Sequence, residues 1–341
     1  MNFQKRVNAF VKLGEFLQNC SNQELPKFEE AYHHNHWFTP ENVKLSLQSW
    51  AGLLTKYNLE KWLSEYEIKE KIPKNIAIIM AGNIPLVGFH DLLCVILSGN
   101  NAIVKLSDDD KILPQFLIDE LIKIEPEMAN YIFISDGRLP KNFDAVIATG
   151  SNNTFRYFEY YFRDKPSLLR KNRSSVAILT GNETQEEMTK LGDDIFLYFG
   201  LGCRNVSKIY IPIDYNIATF FEGIEPYNKI LQHHKYANNY HYHKSIFLLN
   251  LAPHLDNNFV ILKEDKAIAS PLGVLFSENY NSLDSLFETL RIRKEEIQCV
   301  VSKTNFENSV AFGKSQSPEL WDYADGEDTM QFLLSLLETF L

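Results

Sequence analysis

The stretch NIAIIMAGNIPLVGFHDLLCVILSGNNAIVKLS, residues 75–107, decides how this chain folds. The run NIAIIM ends in Ala81, Gly82 and Asn83, PLVGFHDLLCVILSG has the length and character of a helix, and NAIVKLS is a second short apolar run. Short apolar runs bounded by Gly, Asn and Pro suit buried strands, and a helix between them makes them parallel neighbours in a βαβ unit. Pro85 favours a helix start just beyond the first strand.

The pattern continues downstream with a polar helix around residues 112–124, a strand YIFIS at 131–135 and a strand DAVIATGS at 144–151. Upstream, Val11, Leu13, Phe16 and Leu17, and again Leu53, Leu54, Tyr57, Leu59 and Trp62, recur at helical spacing and predict an N-terminal helical layer. A strand SSVAIL at 174–179, a helix near 184–199, the loop GLGC and a strand KIYIPI at 208–213 open a second α/β region, with further strands expected at SIFLLN, FVILK, GVLFS and QCVVS. The fold class expected is α/β: two doubly wound domains with the active site in the cleft between them, plus the helical layer. The expected boundaries are 1–70 for the helical segment, 71–180 for a Rossmann-like cofactor-binding domain, 181–315 for a catalytic domain and 316–341 for a C-terminal segment.

With 341 residues, 45% hydrophobic and 13% aromatic, the chain has enough apolar surface for two cores. Lys and Arg number 34 against 44 Asp and Glu, and the resulting formal charge of −10 opposes binding to a phosphate backbone, so nucleic acid is not an expected partner. The first residues lack the apolar h-region of a signal peptide, and no window approaches the roughly 20 apolar residues of a membrane span. A cytoplasmic location is expected. The four cysteines, Cys20, Cys94, Cys203 and Cys299, form no CxxC pair, which disfavours zinc and a disulfide framework; no metal is expected. Cys94 and Cys299 lie in apolar runs and read as buried small hydrophobes.

Cys203 differs. It follows Gly200 and Gly202 and precedes Arg204 and Asn205 at the start of a strand. Small neighbours open the sulfur to a substrate and leave backbone N–H groups to face an oxyanion, and an adjacent cation favours thiolate. The plainer reading is a cysteine in a tight loop. Asn83 at a strand end either aims its amide into the cleft or serves a turn. Lys105, Ser107 and Asp108 at the next strand end either meet a nucleotide or form a solvated Lys-Asp pair. Thr149, Gly150 and Ser151 lead from a strand into a helix, where backbone amides suit a pyrophosphate.

Taken in order, AGNIPL, IVKLSD, TGS and GLGC resemble motifs of the aldehyde dehydrogenase superfamily over roughly residues 70–310. The terminal PELWDYADGEDTMQFL is similar to the end of bacterial long-chain acyl-CoA reductases of the luminescence (LuxC-like) type. The resemblance implies Cys203 as nucleophile, Asn83 and the Cys203 N–H as oxyanion donors, Lys105, Ser107 and Asp108 at the cofactor ribose, and Thr149, Gly150 and Ser151 beside the cofactor phosphates. It implies an acyl-CoA or acyl-protein thioester substrate reduced to the aldehyde with NADPH or NADH, NADPH being chosen on the resemblance alone. Ser270 stands where the superfamily has a ribose-binding Glu, and Phe155 near where it has a helix-start glycine. LLRKNRSS at 168–175 replaces the ELGGK motif that carries a general-base Glu, and without that base a reductase is favoured over a hydrolytic dehydrogenase.

Arg170, Lys171 and Arg173 read as a solvated face or as a phosphate-attracting cluster. His241 and His243, two apart, would share one strand face as polar surface or core, or as a proton donor or metal pair. His90 reads as structural. The alternatives are an NAD(P)-dependent aldehyde or semialdehyde dehydrogenase and a non-catalytic subunit of an acyl-transfer complex. A homo-oligomer or a complex with an acyl-activating enzyme is compatible with either.

Overall fold

Threonines start two of the N-terminal helices. In this computed structural model, which describes residues 1–20, 26–70, 72–135, 137 and 142–336 (the backbone alone at 152), the helical layer comprises α1 (Phe3–Cys20), α2 (Pro26–His34), α3 (Pro40–Leu53) and α4 (Lys56–Leu63). Thr39 and Thr55 each accept the amide three residues on at 3.3 Å, satisfying donors that a helix start leaves over. α1 buries Val7, Phe10, Leu13 and Leu17 at helical spacing, and these join the core of the unit that follows. No helix among the described residues is long and apolar enough to cross a membrane.

That first unit spans residues 1–171 together with 319–341. Its sheet is built by β1 (Asn75–Ile79), β2 (Asn101–Lys105), β3 (Ile132–Ile134), β4 (Ala145–Thr149) and β5 (Ser167–Arg170) in the order β3-β2-β1-β4-β5, all parallel. Helices α5 (Phe89–Leu97), α6 (Ile112–Ile124) and α7 (Asn152–Phe162) connect them. Ile76 and Ile78 enter the core shared with α1, α5 and α6, while the alternate Ala77, with Val146 and Ala148, meets Phe158 and Phe162 of α7 on the other face.

The segment after residue 318 completes this unit. Tyr323 accepts a hydrogen bond from Trp62 Nε1 at 2.8 Å, and Trp321 takes Lys61 over its ring at 4.1 Å. A helix at Thr329–Ser335 brings Thr329 to Arg170, whose guanidinium donates to both Asp91 oxygens at 2.8 and 2.9 Å and to Thr329 Oγ1 at 2.7 Å. All three side chains are buried. His90 meets the Leu320 carbonyl at 2.9 Å and stacks among Trp62 and Tyr323, the structural role expected for it.

Asp110 fixes the loop after β1. Leu86 is fully buried with φ at +62°, a left-handed conformation costing a non-glycine residue roughly 1–3 kcal/mol, and its amide donates to Asp110 Oδ2 at 2.7 Å. Burial pushes the Asp110 carboxyl from its ordinary value near 3.8 up to about 7.

The second unit, residues 172–318, holds β6 (Ser174–Ile178), β7 (Val206–Pro212), β8 (Leu255–Asp256), β9 (Ile261–Glu264), β10 (Val274–Tyr280), β11 (Ile297–Val301) and β12 (Ser309–Val310). Their order is β12-β11-β6-β7-β10-β9-β8, parallel except for β8. Helices α8 (Gln185–Phe196) and α9 (Ile217–Ile224) cover Ala177 and Ile209 on one face. Helix α11 (Leu283–Ile292) covers Val176, Ile178 and Tyr210 on the other, and α10 (His234–Leu249) precedes β8.

Four expectations are corrected here. The division falls at Lys171/Asn172 rather than near residue 180, because β6 pairs with β7 and β11 in the second sheet. The segment expected at 316–341 is part of the first unit from Glu319 on; residues 337–341 lie outside those described. SIFLLN is the end of α10 rather than a strand, since Tyr236 and Tyr240, four apart, are its buried face; a short apolar run alone reads equally as helix or strand. β5 was not expected, and Arg170 at its end is buried in an ion pair rather than solvated.

Two measurements test these buried groups. Arg170→Met should lower stability in urea by about 3–5 kcal/mol by stranding the Asp91 charge, and adding Asp91→Asn should recover part of the loss; an additive pair of losses would contradict this. Because the native carboxyl of Asp110 titrates above its unfolded value, its contribution is complete below about pH 4 and declines as pH rises through 7. Asp110→Asn should therefore gain on the parent between pH 4 and 8, by on the order of 4 kcal/mol at most, and an unchanged difference across that range would refute the assignment.

Candidate active site

β1 leaves the first sheet between β2 and β4, where the strand order reverses, so the loops after all three strands emerge side by side at one edge. Met80, just beyond β1, donates its amide to the Lys105 carbonyl at 3.1 Å. Gly82 then passes so close to the next loop that a Cβ there would lie 2.5 Å from Ser107 Oγ, and Asn83 follows it, exposed. The loop after β2 turns back on itself as Asp110 donates its amide to the Ser107 carbonyl at 3.3 Å. Lys105 and Ser107 are half-buried and Asp108 is exposed.

After β4 come Thr149, Gly150 and Ser151. A Cβ on Gly150 would stand 2.9 Å from the Phe158 ring, so only glycine lets α7 start against this edge. Ser151 caps α7 by accepting the Thr154 amide at 3.3 Å and also shares a 2.9 Å hydrogen bond with the Thr154 hydroxyl. One sheet edge thus collects Asn83, Lys105, Ser107, Asp108, Thr149, Gly150 and Ser151. Two further residues meet it from α2 and the residue after it: His34 Nε2 lies 2.6 Å from the Asp108 carbonyl, and Asn35 donates to the Asp109 carbonyl at 3.2 Å. Nothing in YHHNHW marks these two as partners of a loop some 70 positions away.

Cys203 lies in the second unit at the amino end of β7. Thr184 and Glu187 form a capping box that starts α8. Beyond its end Tyr198 (φ 53°), Phe199 (φ 59°) and Gly200 (φ 79°) are left-handed in succession, and the two non-glycine members each cost about 1–3 kcal/mol. The Phe199 ring stacks on His233 with centroids 4.1 Å apart. The chain then makes a turn closed by the Asn205 amide on the Gly202 carbonyl at 3.0 Å, with Cys203 and Arg204 at its two central positions. The Cys203 carbonyl accepts from the Ser175 hydroxyl at 3.1 Å. Cys203 is partly exposed, whereas Cys20, Cys94 and Cys299 are buried as the sequence suggests for the latter two.

The remaining candidates disperse. Arg170 is committed to Asp91, and Arg173, in the other unit, donates to the Lys294 carbonyl at 3.3 Å, so 170–173 is not one basic cluster. His241 and His243 sit on α10, where residues two apart face different sides, and their expected shared strand face does not exist. Burial moves the His243 pKa down. Ser270 donates to the Val274 carbonyl at 2.6 Å across a bend containing Gly273 (φ 79°).

The family described as acyl-CoA reductase (LuxC) matches residues 2–219, well over half of the chain and including Cys203. Long-chain acyl-protein thioester reductase 2 of Photobacterium leiognathi is 25% identical over 188 residues, covering 50% of this chain and 39% of that protein. Long-chain acyl-protein thioester reductase of Aliivibrio fischeri is 25% identical over 228 residues, covering 61% of this chain and 47% of that protein. The chain therefore spans less than half the length of these curated relatives. Among solved structures, aldehyde dehydrogenase 21 from Physcomitrella patens aligns with a TM-score of 0.69 at 12% identity, over 98% of this chain and 84% of that one. That likeness establishes an aldehyde-dehydrogenase-like fold. With that fold and a match running through both the AGNIPL and GLGC loops, the chain belongs to the acyl-CoA reductase (LuxC) family.

Proposed function

We propose that this protein reduces a fatty acyl thioester, acyl-CoA or acyl-protein, to the aldehyde through an acyl-Cys203 intermediate. The observation that carries the reading is Cys203 itself: the one partly exposed cysteine of the four, at the centre of a turn in the stretch matched by the family. Its thiolate forms a bond to the thioester carbonyl carbon, and the carbonyl electron pair moves onto oxygen. Asn83 Nδ2 and the Cys203 N–H are the proposed donors to that oxyanion. When it collapses, the bond to the leaving sulfur breaks, and the leaving thiolate departs with the electron pair.

The first sheet edge fits a nicotinamide dinucleotide. Lys105 and Ser107 offer an ammonium and a hydroxyl beside α7, whose start presents backbone amides, and the bare backbones of Gly82 and Gly150 keep the edge tightly packed. When bound, the cofactor supplies a hydride to the carbonyl carbon of the acyl-enzyme. The same oxyanion donors hold the resulting thiohemiacetal oxygen, and its collapse returns the Cys203 thiolate and releases aldehyde. Asp108 suits a ribose diol and Lys105 a 2′-phosphate; NADPH is the proposed partner. Delivery of the acyl group by an acyl-activating enzyme fits the names of the curated relatives, which are acyl-protein thioester reductases. The segment 168–175 contains no carboxylate and Arg170 is committed to the core, so no acid there would activate water against the acyl-enzyme.

Purified protein given short, medium and long acyl-CoA should oxidise NADPH in proportion to aldehyde formed, and Cys203→Ala should abolish this. Turnover retained by Cys203→Ala, or oxidation of free aldehyde with silence towards every thioester, would overturn the proposal. Asn83→Ala should lower kcat by about a hundredfold to a thousandfold with little change in KM, the effect of losing one oxyanion donor. Full turnover would remove Asn83 from that role.

A further inference from the structure

The end of a helix leaves its last carbonyl groups without partners. At the end of α8 one side chain gathers them. The Nδ2 of Asn205 lies 3.2 Å from the Asp194 carbonyl, 3.3 Å from that of Ile195 and 2.9 Å from that of Leu197, while its Oδ1 accepts the Gly202 amide at 2.8 Å. The backbone N–H of Asn205 closes the turn onto Gly202. Asn205 is 3% exposed, so water does not replace these contacts. Its carboxamide therefore ties the departure point of the chain from α8 to its return, across the left-handed stretch at 198–200.

The residue type follows from the partners. The helix end presents only acceptors to the side chain and the Gly202 amide is a donor, its carbonyl being taken by the Asn205 backbone, so the plug must donate at one end and accept at the other. Asparagine does both. Aspartate would still accept from Gly202 but would set a carboxylate against three carbonyl oxygens, and serine has one proton to give. Asp194 steadies the same helix end, since its buried carboxylate accepts the Gly313 amide at 2.6 Å and the Ser315 amide at 2.9 Å.

We propose that Asn205 is a positioning residue for Cys203: it holds the 202–205 turn against α8 so that the thiol and backbone of Cys203 keep the orientation that thioester attack requires. This rests on the reading of Cys203 as nucleophile. Reacting groups displaced by about an ångström lose on the order of a hundredfold in rate, and with the plug removed the strained 198–200 stretch loses the side chain that ties the end of α8 to the 202–205 turn.

The test compares parent, Asn205→Asp and Asn205→Ser as full chains. The readouts are the rate of iodoacetamide alkylation at Cys203 across pH, kcat and KM for acyl-CoA reduction, and the thermal midpoint. Alkylation at the other cysteines is subtracted using Cys203→Ala. Both variants should show kcat lower by about tenfold to a hundredfold, a displaced pH profile of Cys203 alkylation and an unchanged KM for NADPH, at temperatures where both are folded. A lowered thermal midpoint with alkylation profile and kcat within twofold of the parent would overturn the proposal and leave Asn205 purely structural. If Cys203→Ala itself keeps full reductase activity, the nucleophile reading fails, and the alkylation profile alone still decides whether Asn205 orients the thiol.

Discussion

The buried pair of Arg170 with Asp91 is the contact on which the first unit depends. A guanidinium and a carboxylate inside a core are tolerable only when they are paired, and here Arg170 Nη1 donates to both Asp91 oxygens while Nη2 donates to the Thr329 hydroxyl. The three residues come from an edge strand, a helix packed under the sheet and the helix at Thr329–Ser335. The pair therefore specifies that the C-terminal segment folds onto the first unit. Within the segment 168–175, which contains no carboxylate, Arg170 is committed to this core.

Reactive candidates in both units sit on loops whose course is fixed by one buried polar side chain. In the first unit Asp110 holds the Leu86 amide and so fixes the exit from the loop that carries Asn83, while Gly82 permits that loop to lie against Ser107. In the second, Asn205 joins the end of α8 to the turn that carries Cys203. Both loops contain non-glycine residues in left-handed conformations, Leu86 in one and Tyr198 and Phe199 in the other. Such strain persists where surrounding contacts over-determine the backbone, and it places exposed side chains on loops anchored to rigid sheets.

Parallel sheets explain why the candidate cofactor residues collect at one edge. Each strand runs the same way, so every strand-to-helix loop opens at the carboxyl end, and residues 83, 105 and 150 become neighbours though they are far apart in the chain. Cys203 departs from this rule by preceding its strand, on the turn that follows the left-handed stretch.

The sequence by itself determined the local elements. The two strands of the βαβ unit at 75–107, the helix at 112–124 and the strands at 145–149 and 297–301 stand where the apolar runs place them, because that signal acts over a few residues, whereas the helix between the two strands starts at Phe89 and not at Pro85, beyond the left-handed Leu86. It also singled out Cys203, whose glycine neighbours are local too. Only the tertiary structure decided that SIFLLN is helical, that β6 belongs with the second sheet, that Arg170 is buried, and that His34 and Asn35 meet Asp108 and Asp109. Each of those outcomes depends on a partner tens to hundreds of residues away, and the energy that chooses it, a ladder of hydrogen bonds, a shared core or a matched buried charge, leaves no periodic trace in the residues themselves.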